Sequence, residues 1–176
     1  MDDIVKAALK KWPNVPDCYG WLALDARGDW YMRDDRTQAA GPFPAVKGSR
    51  ITHDKLKAFI HRNYAHDERG AWFFQNGPQR VYVELEAAPL VWGVERTGHG
   101  GFAVCTHTEQ MAQSVRSSWL DEHGRLYLDT DIGFGIVRSL DMDVAADAVE
   151  AGLWMPQETA FSHLPARFGY MLRPCA

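Results

Sequence analysis

Residues 52–86, THDKLKAFIHRNYAHDERGAWFFQNGPQRVYVELE, form the stretch of the chain in which the largest number of local signals agree. Thr52 can cap a helix, and Asp54 in its first turn faces the positive end of the helix dipole. Apolar residues then recur at helical spacing, which predicts one buried face. That face consists of Leu56, Phe59, Ile60 and Tyr64.

A tight turn and two strands follow this helix. The sequence Asp67-Glu68-Arg69-Gly70 predicts a reversal, because an Asp side chain can accept from a backbone N–H two residues on and Gly adopts the left-handed conformation. Residues 71–75 are short and aromatic, which favours a strand. Residues 76–79 form a turn, and the alternation over 80–85 indicates a second strand. Its predicted buried face consists of Val81, Val83 and Leu85.

Composition places the chain among soluble globular proteins. Its 176 residues suit one domain or two small ones, with 46% hydrophobic and 24% charged residues. A net charge of −4, with both signs interspersed, argues against a nucleic-acid partner, which would require a basic patch. The sequence has no apolar run of membrane-spanning length and no signal-peptide pattern at its start. The three cysteines are far apart and predict free thiols in a reducing cytoplasm.

The order of elements predicts an α+β fold with a mainly antiparallel sheet and about three helices. One helix precedes Pro13, one lies in the central stretch, and one ends at Gly152. A hairpin over residues 19–32 and a polar loop over 33–50 precede the central helix. Further strands are predicted at 90–95, 102–106, 115–120, 125–129, 132–137 and 153–155, with a last turn and strand in the tail. We expect residues 1–96 and 97–176 to form two related halves, or one compact domain.

Two segments of the chain align at an offset of 96 residues. LALDARGDWYMRDD (22–35) and SWLDEHGRLYLDTD (118–131) share five identities in fourteen positions. The order hairpin, helix, Gly-containing turn and strand also repeats, which favours two similar hairpin-helix-strand motifs. The alternative is that the two hairpins share only the turn chemistry of Asp-x-x-Gly, a pattern that also occurs at Asp67.

Motifs for catalysis or metal binding are incomplete. The chain has no set of His and Cys residues at zinc-ligand spacing, and capping explains the Asp pair at 141 and 143 better than a cation does. His99-Gly100-Gly101 resembles an esterase oxyanion loop, but the required Gly-x-Ser-x-Gly is missing. We therefore predict no catalytic residues, no metal and no cofactor. A nucleophilic Cys105 paired with a histidine stays open, because such partners need not be close in sequence.

The most suggestive polar cluster surrounds the central hairpin. Amides there can read a polar ligand, and arginines can clamp a carboxylate or phosphate. We predict a ligand-binding site formed by Arg62, Asn63, Tyr64, Trp72, Gln75, Asn76, Gln79 and Arg80. The alternative is that these groups cap the turn and brace the helix, since buried polar groups generally serve structure.

The segments CYGWLALDARGDW and RNYAHDERGAWFFQNGPQRVYVELE resemble an uncharacterised proteobacterial family of small proteins, most strongly over residues 16–95. The order of elements is also similar to a second uncharacterised bacterial family. That likeness implies a repeated β-rich motif with helices and a part in signalling. Neither resemblance brings catalytic residues with it.

Three hypotheses for function follow. The first is a non-catalytic cytoplasmic module for sensing or regulation, which binds a small molecule or a protein partner near residues 62–80. The second is a small hydrolase that uses Cys105 or a His/Asp pair. The third is an interaction protein that forms a homodimer through an exposed strand edge. All three exclude nucleic-acid and membrane partners.

Overall fold

The chain, in a computed structural model that describes residues 1–98 and 100–176, divides into two compact units. The first unit comprises residues 1–25, 29–86 and 169–176, and the second comprises residues 26–28 and 87–168. Each unit contains one six-stranded sheet. No helix within the described residues is both long and apolar enough to cross a membrane.

The first unit combines three helices with its sheet. The helices are α1 (Asp3–Lys11), α2 (Asp35–Ala40) and α3 (Asp54–Arg62). The strands are β1 (Cys18–Leu24), β2 (Trp30–Met32), β3 (Ser49–Arg50), β4 (Tyr64–His66), β5 (Trp72–Asn76) and β6 (Gln79–Leu85). They lie in the order β3-β2-β1-β6-β5-β4, and only the β1–β6 pair among them is parallel.

The second unit has the same number of strands in a different order. Its strands are β7 (Leu90–Arg96), β8 (Phe102–Thr106), β9 (Val115–Leu120), β10 (Leu126–Thr130), β11 (Gly133–Val137) and β12 (Gln157–Glu158). The order is β12-β9-β10-β11-β7-β8, with β12 parallel to β9 and β11 parallel to β7. The helices are α4 (Met142–Glu150) and α5 (Leu164–Phe168), each preceded by a short 3-10 helix at Ser139–Asp141 or Phe161–His163.

The first unit buries aromatic side chains between its sheet and α3. Ile60 on α3 is fully buried, and Phe59 packs edge-on against Phe74 of β5 at a ring separation of 5.4 Å. The segment 169–172 completes this unit, because the Leu85 N–H donates to the Leu172 carbonyl at 2.8 Å. Gly70 permits this approach: a Cβ there would lie 1.9 Å from the Gly169 carbonyl oxygen.

The second unit is organised around two fully buried aromatic residues. Trp92 on β7 donates its indole N–H to the Leu128 carbonyl at 3.2 Å, so its polar atom is satisfied inside the core. Tyr127 stacks on Phe134 at 5.7 Å, and Phe134 stacks in turn on Phe168 of α5 at 3.7 Å. This aromatic stack connects the sheet to the last helix.

Two aspartates, the partly buried Asp67 and the buried Asp121, hold the turns at residues 67–70 and 121–124. Asp67 Oδ1 accepts from the N–H of Arg69 and of Ala71, each at 3.0 Å. Asp121 Oδ1 accepts in the same way from residues 123 and 125, at 2.9 and 3.0 Å. The third Asp-x-x-Gly sequence, at Asp25, accepts from the Asp29 N–H at 2.9 Å. A tyrosine hydroxyl donates to the second carboxylate oxygen at all three positions.

The predicted α+β class is confirmed, and two of its details are wrong. The sheets are mixed, because parallel pairs join strands that are far apart in sequence. The described residues contain five α-helices instead of about three. The predicted loop at 33–50 contains α2, since Asp34 caps a helix by accepting from the Thr37 N–H at 2.8 Å. The predicted last strand is replaced by α5, which begins at Leu164.

Smaller corrections concern helix ends and short strands. The N-cap of α3 is His53, whose ring accepts from the Leu56 N–H at 3.3 Å, and not Thr52. Tyr64 lies in β4 instead of on the helix, because α3 ends at Arg62. The strand predicted at 153–155 is absent, and β12 follows it at 157–158. The similarity of the two hairpin motifs as products of duplication stays a prediction.

Candidate functional site

The first two residues of the predicted ligand site bind the start of α1. Arg62 forms an ion pair with Asp2 at 3.2 Å. The buried Asn63 accepts from the Asp2 N–H at 2.8 Å and donates to the Phe59 carbonyl at 2.9 Å. These contacts connect α1 to the end of α3.

Three further members of the predicted site pack against aromatic rings. Tyr64 lies 4.6 Å from Trp72 and 5.2 Å from Trp30, between ring centroids. Burial raises the pKa of the Tyr64 hydroxyl well above its ordinary value. The Arg80 guanidinium lies 4.7 Å from the centre of the Phe73 ring, a cation–π distance.

The amides of the predicted site divide into two groups. Gln75 is buried and donates to the Gly77 carbonyl at 3.0 Å, so it stabilises its own turn. Asn76 and Gln79 instead line a cavity on the same unit. The ligand-binding role of the eight residues stays a prediction, and two of them share a pocket.

That cavity, which we call the apolar pocket, lies within the first unit and has a volume of about 270 Å³. Side chains of four neighbouring strands, β2, β1, β6 and β5, contribute to it, with Cys18, Val81 and Phe74 in one row across the sheet. Leu56 and Ile60 of α3 also line it. Its volume lies just below the usual range for small-molecule sites, about 300–1,000 Å³, so it suits a small ligand.

Two large apolar side chains are exposed to solvent at the border of the apolar pocket. Trp21 and Met32 both line it and are 38% and 49% exposed. Burial raises the pKa of the Cys18 thiol, so this sulfur stays uncharged in an apolar setting. Polar groups in the pocket are then limited mainly to the amides of Asn76 and Gln79.

A second cavity, which we call the charged pocket, lies within the second unit and has a volume of about 260 Å³. It lies over the pair β7 and β8, whose register places Gly93 opposite Cys105 and Glu95 opposite Ala103. Arg138, which follows β11, also lines it. This pocket therefore contains charged groups of both signs.

The surroundings of Cys105 do not favour a nucleophile. Burial, together with the negative charges of Glu109 and Glu95, raises the pKa of its thiol, whereas a nucleophilic cysteine needs a lowered pKa. His107 lines the same pocket, and its Nδ1 accepts from the Val91 N–H at 3.2 Å. The hydrolase hypothesis stays a prediction. His99, in the His-Gly-Gly sequence, lies outside the described residues.

Aspartates occur two residues apart at 129 and 131 and at 141 and 143, and one member of each pair serves the fold. Asp131 accepts from the N–H groups of Gln113 and Ser114 at 2.8 and 3.0 Å. Asp141 lies at the N-cap of α4 but bonds elsewhere, to the Val94 N–H at 2.9 Å. Over residues 1–98 and 100–176, no three His, Cys, Asp or Glu side chains are placed to hold a metal ion.

Several pocket residues were not singled out in the sequence. Cys18, Trp21 and Met32 lie on strands distant from the central hairpin, and only strand pairing brings them to it. For the charged pocket, the sequence contained one indication, Gly93 in the middle of the strand LVWGVE. An isolated Gly in a strand often marks close approach of another group.

Two solved structures resemble this fold. A DUF1285 family protein from Silicibacter pomeroyi DSS-3 matches with a TM-score of 0.53 and 15% identity, covering 84% of each chain. A DUF1285 family protein from Shewanella baltica OS155 matches with a TM-score of 0.47 and 19% identity, over 72% of this chain and 91% of that one. At 15% identity, the match to the Silicibacter pomeroyi protein shows a shared fold alone. The comparison with curated proteins gave no match.

A family model matches residues 1–175, which is nearly the whole chain. Its description carries no activity, and the expected resemblance to an uncharacterised family is confirmed at that level. The chain belongs to the family DUF2944, described as "Protein of unknown function (DUF2946)".

Proposed function

We propose that the protein is a non-catalytic binding module, and that the apolar pocket holds a small molecule with an apolar body and one hydrogen-bonding group. The observation that carries this proposal is the cavity of about 270 Å³ beside two exposed apolar side chains, Trp21 and Met32. Large apolar groups exposed beside a cavity are typical of binding sites. The cavity volume suits a small molecule better than a protein segment.

The polar end of the ligand is assigned to the turn between β5 and β6. The Asn76 side chain is exposed and forms no hydrogen bond with any residue that the structure describes. Gln79 donates to the Pro16 carbonyl at 3.1 Å, which holds the amide in place and leaves its oxygen able to accept. One donor and one acceptor at the edge of an apolar cavity suit a hydroxyl or amide group on the ligand.

Binding of 1-naphthol, with naphthalene as the matched compound that lacks the hydroxyl, tests this assignment. Titration followed by tryptophan fluorescence should show binding of 1-naphthol, and recovery of the unchanged compound would agree with a non-catalytic role. Leu56→Trp fills the pocket from α3 and should abolish binding without lowering the thermal midpoint. Asn76→Ala should weaken 1-naphthol binding several-fold, because one hydrogen bond contributes about 1 kcal/mol, and leave naphthalene binding unchanged.

Asn14→Ala is the control for the amide, since Asn14 is an exposed asparagine of the same unit outside the pocket. The proposal fails if wild-type protein binds neither compound, or if folded Leu56→Trp protein binds as tightly as wild type. Homodimer formation and cytoplasmic location stay predictions.

A further inference from the structure

The charged pocket contains an arginine and a glutamate that form no ion pair with each other. Arg138 donates from Nε to Asp141 Oδ2 at 2.5 Å, and its two terminal nitrogens have no hydrogen-bond partner within the described part of the chain. The Glu95 carboxylate forms neither an ion pair nor a hydrogen bond with those residues. Both side chains nonetheless line one cavity.

The Arg138 guanidinium is held in a fixed position. Asp141 accepts from the Val94 N–H at 2.9 Å as well as from Arg138, so the carboxylate is itself fixed to β7. The Arg138 N–H donates to the Trp92 carbonyl at 3.0 Å and anchors the backbone to the same strand. A carboxylate that binds Nε leaves the outer edge of the guanidinium available for a ligand.

Gly93 makes room for this arginine. A Cβ at residue 93 would lie 3.3 Å from both Cζ and Nη2 of Arg138, so the guanidinium rests directly over the backbone of β7. A Cβ there would require the guanidinium to shift by a few tenths of an ångström. A glycine within a strand lowers the stability of that strand. Here the glycine allows the guanidinium of Arg138 to lie against the backbone of β7.

Glu95 lies further along the same face of β7. Side chains alternate across a strand, so residues 93 and 95 both face the pocket, and Glu95 pairs across the sheet with Ala103. The two charges both act on the floor of the cavity, since Glu95 raises and Arg138 lowers the pKa of the Cys105 thiol, alongside the dominant effect of burial. Arg27 also lines this pocket.

Apolar groups complete the charged pocket. Val91 and Ala103 flank the floor, and Met111, which is 50% exposed, borders it next to Cys105. Unbranched methionine adapts to ligands of different shape. The pocket thus offers two arginine cations, one carboxylate and an adaptable apolar surface in one cavity of about 260 Å³.

We propose that the charged pocket binds a free α-amino acid, with the ligand carboxylate on the terminal nitrogens of Arg138 and the ligand amine on Glu95. A carboxylate matches the planar guanidinium edge with two parallel hydrogen bonds. The protonated amine of the ligand forms an ion pair with Glu95, which has no ion-pair partner among the described residues. The ligand side chain packs on Val91 and Met111. This site lies in a different unit from the apolar pocket and does not depend on it.

Titration calorimetry of the full chain with the common L-amino acids tests the proposal. At least one should bind at millimolar concentration or below. The tightest is then compared with its amide, which lacks the carboxylate, and with its deaminated acid, which lacks the amine. Arg138→Gln should weaken binding of the amino acid and of the deaminated acid about tenfold to a hundredfold, the value of a charge-assisted hydrogen bond.

Glu95→Gln separates the two charges. It should weaken binding of the amino acid and its amide by a similar factor and leave the deaminated acid unaffected. Gly93→Ala provides an independent test that keeps both charges, because its Cβ would lie 3.3 Å from Cζ and Nη2 of Arg138, so the guanidinium must shift by a few tenths of an ångström and binding of every carboxylate ligand should weaken. Arg116→Gln and Glu150→Gln are controls, since both are exposed residues of the same unit outside the pocket.

The proposal is overturned if no amino acid binds to folded wild-type protein. It is equally overturned if Arg138→Gln and Glu95→Gln, with thermal midpoints near wild type, bind every ligand as wild type does. Should Arg138→Gln fail to fold, the Glu95→Gln and Gly93→Ala comparisons decide the question.

Discussion

The turn at Asp67 in the first unit and the turn at Asp121 in the second are both held by an aspartate carboxylate, but the two carboxylates differ in burial. Each carboxylate accepts two backbone N–H groups, one arginine Nε and one tyrosine hydroxyl. The Asp67 side chain is 13% exposed, whereas that of Asp121 is fully buried. The same kinds of hydrogen bond are therefore partly exposed to water at Asp67 and shielded from water at Asp121.

The two turns also recruit their partners from different parts of the chain. Tyr127 lies six residues after Asp121, on the strand that the turn starts, so that network is local. Tyr82 lies fifteen residues after Asp67, on the next strand, so that network joins three strands. We expect the burial of each aspartate to set its contribution to the free energy of unfolding. The position of its tyrosine partner sets which strands depend on that aspartate.

Replacing the more buried aspartate should have the largest effect. Asp121→Ala removes the acceptor for two N–H groups and leaves Arg125 without its partner. We expect a loss of about 3 kcal/mol or more in the free energy of unfolding, because buried groups lose their hydrogen bonds. Urea unfolding followed by tryptophan fluorescence measures this loss. Asp54→Ala, at a position that is 92% exposed and pairs with Lys57 in the first turn of α3, should cost much less than Asp121→Ala.

Asp67→Ala should cost less, about 2 kcal/mol, since water reaches part of this network. Hydrogen exchange then separates the two variants by location. The Asp67 variant should lose protection in β4, β5 and β6, which its hydrogen bonds join, and the Asp121 variant in β9 and β10. Equal losses in both variants, or loss of protection in the other unit, would contradict the link between burial and stability.

The acid side of the stability curve gives a smaller test. Burial raises the pKa of Asp121, but hydrogen bonds from Arg125, Tyr127 and the His123 N–H outweigh it and hold the pKa below its ordinary value. Asp67 behaves in the same way, with bonds from Ala71, Arg69 and Tyr82.

A lowered folded-state pKa means that each carboxylate contributes its full stability above the unfolded value of about 4. That contribution is lost as the pH falls through the folded-state pKa. Asp121→Asn should therefore flatten the fall in unfolding free energy below about pH 4, as followed by urea titration at a series of pH values. A variant curve parallel to that of wild type would show that Asp121 does not titrate as the structure implies.

Removing one hydroxyl should have the smallest effect. Tyr127→Phe deletes a single buried hydrogen bond of 2.9 Å and should cost about 1 kcal/mol. Tyr82→Phe deletes a bond of 3.1 Å at the more exposed turn and should cost less. Thermal unfolding of both variants measures the difference, and a larger loss for Tyr82→Phe would reverse the ranking of the two turns.

Local patterns predicted the elements that depend on neighbouring residues. The β5–β6 hairpin is confirmed, since a Gly-containing turn between two short apolar runs specifies it. Of the predicted buried face, Val83 and Leu85 are buried and Val81 is only partly buried, while Tyr82 on the opposite face is buried as well. Helix α2 was missed because Gly and Pro in the same segment obscured the Asp34 cap. The parallel pairings were missed because they join strands separated by many residues, and no local pattern records which strands meet.

The candidate pockets show the same limit. Asn76 and Gln79 could be selected from the sequence because turn amides stand out among apolar residues. Cys18 and Trp21 look like ordinary strand residues, and only the β1–β6 pairing gives them a shared cavity. Arg138 was missed for a similar reason, since its place over Gly93 depends on β11 pairing with β7.

The docking of residues 169–172 beside Gly70 makes the first unit discontinuous in sequence. Residues 87–168 separate its main part, which ends at residue 86, from the segment that follows residue 168. The Leu85 N–H therefore depends on a carbonyl that reaches it only after the chain has passed through the whole of the second unit. A cut after residue 168 would leave every residue of the second unit in place and remove the acceptor of the Leu85 N–H from the first, so a single cleavage there would act on one unit and spare the other.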